Sequence, residues 1–258
     1  YLTDTVAVAE KKGVYTADST DVVLGANSRS QLAALNEVAR KRKLAELMDD
    51  GVDIPLSDGI IIGKDVKIGH DTAILPNTII KGKTVIGNGC EIGPNSYIAD
   101  CVIEDNVILN NVQAHESKVD SKAKAGPFVH LRPNTHLHSG VKIGDFVEVK
   151  NSEIGINTCI AHLTYVGDSD VGKGVNFGCG CVTANYDGIK KYRTTIGDNA
   201  FIGCNTNLIA PVTIGDNATT AAGSTITKNV PADSLAVERG QTRIIEHWEK
   251  NSKRIKKA

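Results

Sequence analysis

A chain of 258 residues with 29 basic and 30 acidic side chains carries a formal charge of −1. That balance excludes binding driven by a general attraction to nucleic acid or an anionic membrane surface. Hydrophobic residues make up 41% of the chain and aromatic ones only 4%, which suits a narrow interior of Ile, Val, Leu and Ala. There is no stretch of about 18 apolar residues and no signal-peptide pattern, so the chain reads as cytoplasmic, without membrane insertion. Its six cysteines lack paired C-x-x-C spacing and read as reduced thiols.

Residues 1–57 are expected to form a helical arm or linker. Ser28 and Gln31 have the spacing of a capping box before a run of helix formers reaching about Asp50, with Leu32, Leu35, Val38 and Ala39 as its apolar stripe. Gly51 and Pro55 end that helix. Isoleucine then recurs every six residues at Ile62, Ile68, Ile74, Ile80, Ile86, Ile92 and Ile98. A strand repeats every two residues and a helix every 3.6, so this period predicts a mainly β fold, a left-handed parallel β-helix over residues 58–230. The repeat returns in new phases at Leu131, Leu137, Ile143 and Val149, at Ile154, Ile160 and Val166, and from Ile196 to Ile226. Many glycines follow the aliphatic position, Gly144, Gly155 and Gly197 among them, where a sharp turn is expected.

Between Ile103 and Gly126 the period blurs, which suggests irregular coils still within the stack. Residues 183–195 interrupt it, and in a solenoid such an insertion becomes a projecting loop and often a binding surface. After Lys228 the repeat stops. Residues 231–258 read as a C-terminal tail whose basic end, NSKRIKKA, is a solvated terminus.

The fold alone serves acyltransferases, metal-dependent hydratases and structural subunits, so the site must decide between them. The informative residues are Arg132-Pro133, Glu148-Val149-Lys150, the stretch AHLTYVGD from Ala161 to Asp168, Asn176, and Asn185-Tyr186-Asp187-Gly188. With the helical arm and Arg239, these resemble, in order and spacing, the C-terminal half of the bifunctional bacterial enzymes that acetylate glucosamine-1-phosphate and then uridylylate the product. The resemblance implies an acetyl-coenzyme A-dependent N-acetyltransferase serving UDP-N-acetylglucosamine and cell-wall precursor synthesis, assembled as a homotrimer.

It also implies roles for individual residues. His162 would be the general base, since an amine attacking a thioester must lose a proton near neutral pH, and Glu148, counted with the substrate-binding residues, would orient or polarise it. Arg132 and Lys150 would hold the sugar phosphate, with Tyr165, Asn176 and Asn185 on the sugar. Cys179, Asn185, Tyr186, Cys204, Ala222 and Arg239 would hold the acyl donor. The family usually has alanine at the position of Cys179 and serine at that of Cys204, so a hydroxyl there becomes a weaker thiol donor. Asn27 matches a magnesium and nucleotide ligand of the uridyltransferase half. That half is expected to be absent, because nothing before Ser28 is long enough to supply it and the start at Tyr1 suggests a fragment.

Two other classes compete. A carbonic-anhydrase-like metalloenzyme would need three histidines around zinc, and His130, His136 and His138 are the nearest cluster. A non-catalytic assembly module would bury His162 with both ring nitrogens satisfied.

Overall fold

The computed structural model describes residues 2–248. They form two units, one ending at Glu46 and one beginning at Leu47. In the first, helical turns at Leu2–Asp4, Thr5–Val8 and Thr20–Val23 precede a helix, Arg29–Asp49, that runs on into the second. Its start is capped as the sequence predicts, with one displacement. Ser28 Oγ accepts the Gln31 amide at 3.2 Å, but the Gln31 side chain reaches back to the amide of Asn27, at 2.7 Å, rather than to that of Ser28. The expected apolar stripe is not a buried one: Leu32 and Ala39 are exposed and Leu35 and Val38 half-buried, whereas Leu44 and Leu47 are buried.

The second unit is a parallel β-solenoid. Each coil contributes one strand of two to four residues to each of three sheets, which contain ten, nine and ten strands. We call these face 1 (from Ile61–Ile62 to Thr225–Ile226), face 2 (from Lys67–Ile68 to Val212–Ile214) and face 3 (from Ala73–Ile74 to Leu235–Ala236). The chain visits them in that order, coil after coil. Strands this short cannot hold themselves, and their amides are satisfied by the coils before and after.

The repeat positions are the core. Ile74, Ile80, Ile92 and Ile98 are wholly buried, as are Leu131, Leu137, Ile154, Ile160 and Val166; of the first seven isoleucines only Ile68 is half-exposed. Between Ile103 and Gly126 the coils stay within the stack, as expected, and their irregularity is one of length. Ile61 pairs with Ile79 eighteen residues on, but Tyr97 pairs with Gln113 after sixteen and Gln113 with His130 after seventeen. A coil that loses a residue or two at a corner shifts the phase of the repeat while the ladder continues. The solenoid also runs past position 230, since Leu235–Ala236 adds a strand beside Thr219–Thr220. A ladder built from backbone groups persists where the aliphatic repeat has lapsed. The basic tail lies outside the described residues.

The glycines after the aliphatic positions do a different job from the one expected. Among the described non-glycine residues, positive φ falls mostly on corner Asn and Asp residues such as Asn77, Asn157, Asp168 and Asn205, whose short polar side chains tolerate it. Gly144 and Gly155 instead let coils approach: a Cβ on Gly155 would lie 2.4 Å from the backbone of Gly172. Gly155→Ala is therefore expected to lower unfolding free energy by roughly 1–3 kcal/mol, as overpacking does. Gly63→Ala, whose Cβ would meet nothing closer than 3.5 Å, should be close to neutral. Denaturant midpoints at unchanged slope check both.

Candidate active site

Two edges of the prism and the face between them hold the residues singled out in the sequence. Where face 3 turns into face 1, His162 ends the strand Cys159–His162. Cys159 pairs with Asn176, Asn176 with Phe201 and Phe201 with Thr219, so His162, Cys179, Cys204 and Ala222, each three residues further on, occupy one corner position in four successive coils. Strands are spaced about 4.8 Å apart, which makes this column about 14 Å long. His162 and Cys204 are exposed, and the His162 ring hydrogen-bonds to no described residue. Gly178 leaves room beside Cys204, because a Cβ there would come within 2.9 Å of its Sγ. Arg239 closes the far end, donating from Nη1 to the Ala222 carbonyl at 2.9 Å. Cys181, buried beside the column, has its thiol pushed up to about 11 by burial.

The opposite edge, where face 1 turns into face 2, is cationic. Arg132, Pro133, Asn134, Lys150, Asn151, Asp168 and Lys191 line an open pocket of about 390 Å³. Lys191 comes from the inserted loop and was not singled out in the sequence; its only signal there is the pair Lys190-Lys191. Hydrogen bonding to Lys191, some burial and the like charge of Lys191 hold the Lys150 amine below the usual lysine range. The buried Asp168 carboxylate is gripped by the side-chain amides of Asn151 and Asn185.

On face 1 itself, Glu148 and Tyr165 are in register on adjacent coils, as are Lys150 and Gly167. The Tyr165 ring lies across Gly167, where a Cβ would be 2.3 Å from its hydroxyl, and Asn185 Nδ2 lies 3.5 Å from that oxygen. Glu148 makes no hydrogen bond to His162 among the described residues. Its Oε1 accepts Arg132 Nη1 at 2.7 Å, the opposite charges reaching between adjoining coils from face 1 to its edge. Asn176 is not brought to this group either, since it stands exposed on face 3.

The insertion is ordered by its own contacts. Val182 pairs with Asn207, twenty-five residues on, so this coil holds the extra chain. Tyr186 and Lys191 form an antiparallel bridge, and Asp187 Oδ1 accepts the amides of Lys190 and Ile189, which holds its carboxyl below the usual range. Arg193 anchors the exit by donating to Asp170 and to the carbonyls of Asn151 and Ser169. Tyr186 is exposed, its hydroxyl donating to the Gly188 carbonyl at 2.7 Å.

The three-histidine centre does not form. His130 stands on face 1, its ring 5.9 Å from that of His115, whereas His136 and His138 stand together on or just beyond face 2. Asn27, the single magnesium candidate, sits in the first unit beside Ala26, Ser28, Arg29 and Leu32. One amide oxygen beside an arginine, with no carboxylate, does not suit a cation that takes six oxygen ligands.

Residues 193–228 match the family model described as bacterial transferase hexapeptide (six repeats), so the solenoid is of the hexapeptide-repeat kind. Over 251 residues the chain is 47% identical to the bifunctional protein GlmU of Clostridium acetobutylicum, covering 96% of this chain and 55% of that protein. Against the bifunctional protein GlmU of Acetivibrio thermocellus it is 50% identical over 252 residues, with the same coverage. The chain is thus a homologue of the C-terminal half of GlmU, spanning about half the length of the curated relatives it matches. Among solved structures, a Francisella novicida UDP-N-acetylglucosamine acyltransferase overlaps loosely, at a TM-score of 0.39 and 16% identity over 69% of this chain and 65% of that one.

Proposed function

We propose that this chain transfers the acetyl group of acetyl-coenzyme A to the amine of glucosamine-1-phosphate. The observation that carries the reading is the pairing of a cationic pocket at one edge of face 1 with an unpartnered imidazole at the other. Arg132, Lys150 and Lys191 suit a dianionic monoester, the guanidinium gripping its oxygens and the ammoniums adding charge. Tyr165 and Asn185, joined to each other, suit the sugar hydroxyls beside it. The column from His162 to Ala222, with Arg239 at its end, suits an elongated acyl donor lying along the solenoid.

In the reaction the neutral His162 ring takes a proton from the sugar amine as its nitrogen attacks the thioester carbon. The C–N bond forms, the C–S bond breaks, and the proton leaves with the thiolate as coenzyme A. An exposed imidazole with no hydrogen-bond partner among the described residues favours this role over that of a structural histidine in an assembly module. Asn176 and the Arg132 pocket lie on different faces of one solenoid and cannot converge on one ligand. We therefore assign the working form as a homotrimer, in which a neighbouring copy completes the cleft. The uridyltransferase half and its magnesium are not assigned to this chain. In the longer relatives, by the same reading, the two activities would together serve UDP-N-acetylglucosamine and cell-wall synthesis in the cytoplasm.

Thiol release from acetyl-coenzyme A tests the reading. Release is expected with glucosamine-1-phosphate and much less with glucosamine, and equal release with both would reject the phosphate pocket. A pH series tests the pocket further. Lys150 binds phosphate only while charged, and its lowered pKa makes the KM for glucosamine-1-phosphate rise at a lower pH than an ordinary lysine would. In Lys191→Met the like charge is gone, the Lys150 pKa returns upward, and that alkaline limb is expected to move to higher pH. A limb that stays in place would show that Lys150 does not control it.

A further inference from the structure

Face 2 carries a side-chain cluster that acetyl transfer does not use. Lys118, His136 and Glu153 stand in register on three successive coils, and Asp120 and His138 follow two residues after the first two. Glu153 Oε2 lies 2.9 Å from His136 Nδ1 and 3.1 Å from His138 Nε2. The other nitrogens, His136 Nε2 and His138 Nδ1, face the two oxygens of Asp120 at 2.9 and 3.3 Å. A carboxylate oxygen only accepts and a neutral imidazole has a single N–H, so either tautomer of each ring leaves one lone pair against a carboxylate. Lone pairs against a carboxylate repel unless positive charge lies between them. Two added protons would create two imidazolium rings with centroids only 3.9 Å apart, whereas one divalent cation satisfies all three groups at once.

We propose that Asp120, His136 and His138 bind a divalent transition cation of the zinc type. Their ligand atoms lie within 4.8 Å of one another, with the Asp120 oxygens 2.9 and 3.3 Å from the ring nitrogens they face, so small side-chain shifts bring them to shared bonds of about 2.0–2.2 Å, and two imidazoles with one carboxylate suit zinc better than magnesium or calcium. Glu153 holds the outer position, fixing both ring tautomers through their far N–H groups. Its side chain is half-exposed. The bound ion ties the coil of Asp120 to that of the histidines and, through Glu153, to the next, a cross-link along the solenoid rather than part of the reaction. Lys118 Nζ, 2.9 Å from Asp120 Oδ1 and 3.8 Å from Glu104, is the competing cation and turns toward Glu104 when the metal enters.

Zinc titration of the full chain by calorimetry, with cobalt as a spectroscopic substitute, tests this. The expected result is one zinc per chain, a thermal midpoint raised by zinc and restored by chelator, and a cobalt spectrum without thiolate charge-transfer bands. Glu153→Gln should weaken zinc binding roughly 10- to 100-fold and His136→Ala or His138→Ala more than that, while Lys118→Met should tighten it. Asp120→Asn, nearly isosteric, keeps the test valid should a histidine variant fold poorly, and it should weaken binding too. Absence of stoichiometric zinc binding, thiolate bands from cobalt held by cysteine, or unchanged affinity in His138→Ala and Asp120→Asn would overturn the proposal. So would doubly protonated rings by nitrogen NMR in wild-type protein that binds no zinc.

Discussion

His162→Ala is expected to lower the acetyl-transfer rate roughly 100- to 10,000-fold, the usual contribution of a positioned general base. The ring is exposed and makes no hydrogen bond to a described residue, so its removal opens no cavity and strands no partner. The thermal midpoint should hardly move. Binding of both substrates should also be nearly retained, because in the proposed mechanism the ring touches the amine mainly as its proton departs. Turnover near that of the wild type at neutral pH would remove His162 from the mechanism. A parallel fall in midpoint and activity would make it a structural residue.

Arg132→Ala should raise the KM for glucosamine-1-phosphate roughly 10- to 150-fold, the equivalent of the ~1.5–3 kcal/mol typical of a hydrogen bond to a charged group. The KM for acetyl-coenzyme A should change little, since the proposed donor column lies on the other edge of face 1. Part of the loss arises indirectly. Glu148, now bound to Arg132 at 2.7 Å, would be left as a free carboxylate beside the phosphate. Adding Glu148→Gln to Arg132→Ala is therefore expected to recover a portion of the affinity, a coupling that steady-state kinetics on the two single variants and the double variant would measure. Equal effects on both substrates would mean that Arg132 only holds the coil.

The solenoid was legible because isoleucine at a six-residue spacing reports the inward position directly. Ile74, Ile80, Ile92 and Ile98 are wholly buried as that spacing predicts. Features set by contact between coils were harder to read. The glycine at position 155 looked like a turn residue because sequence shows flexibility but not the backbone of Gly172 that would lie 2.4 Å from its Cβ. The sixteen-residue step from Tyr97 to Gln113 looked like disorder in the repeat because a shortened corner shifts the phase without breaking the ladder.

The site divides in the same way. His162 and Arg132 stand out in the string, but the partner of Glu148 depends on which residue faces it one coil away, and that is Arg132. Lys191 joins Lys150 only because the inserted loop folds back through the Tyr186 and Lys191 bridge. Asp120 and His136 are sixteen residues apart in sequence yet 2.9 Å apart in space, a separation no local motif encodes.

Identification of the reaction product tests the central claim most directly. When the chain is incubated with acetyl-coenzyme A and glucosamine-1-phosphate, mass spectrometry and proton NMR should find N-acetylglucosamine-1-phosphate and free coenzyme A in equal amounts, with the acetyl group on nitrogen. Unchanged glucosamine-1-phosphate after prolonged incubation with correctly folded protein, or coenzyme A released without an acetylated sugar, would contradict it.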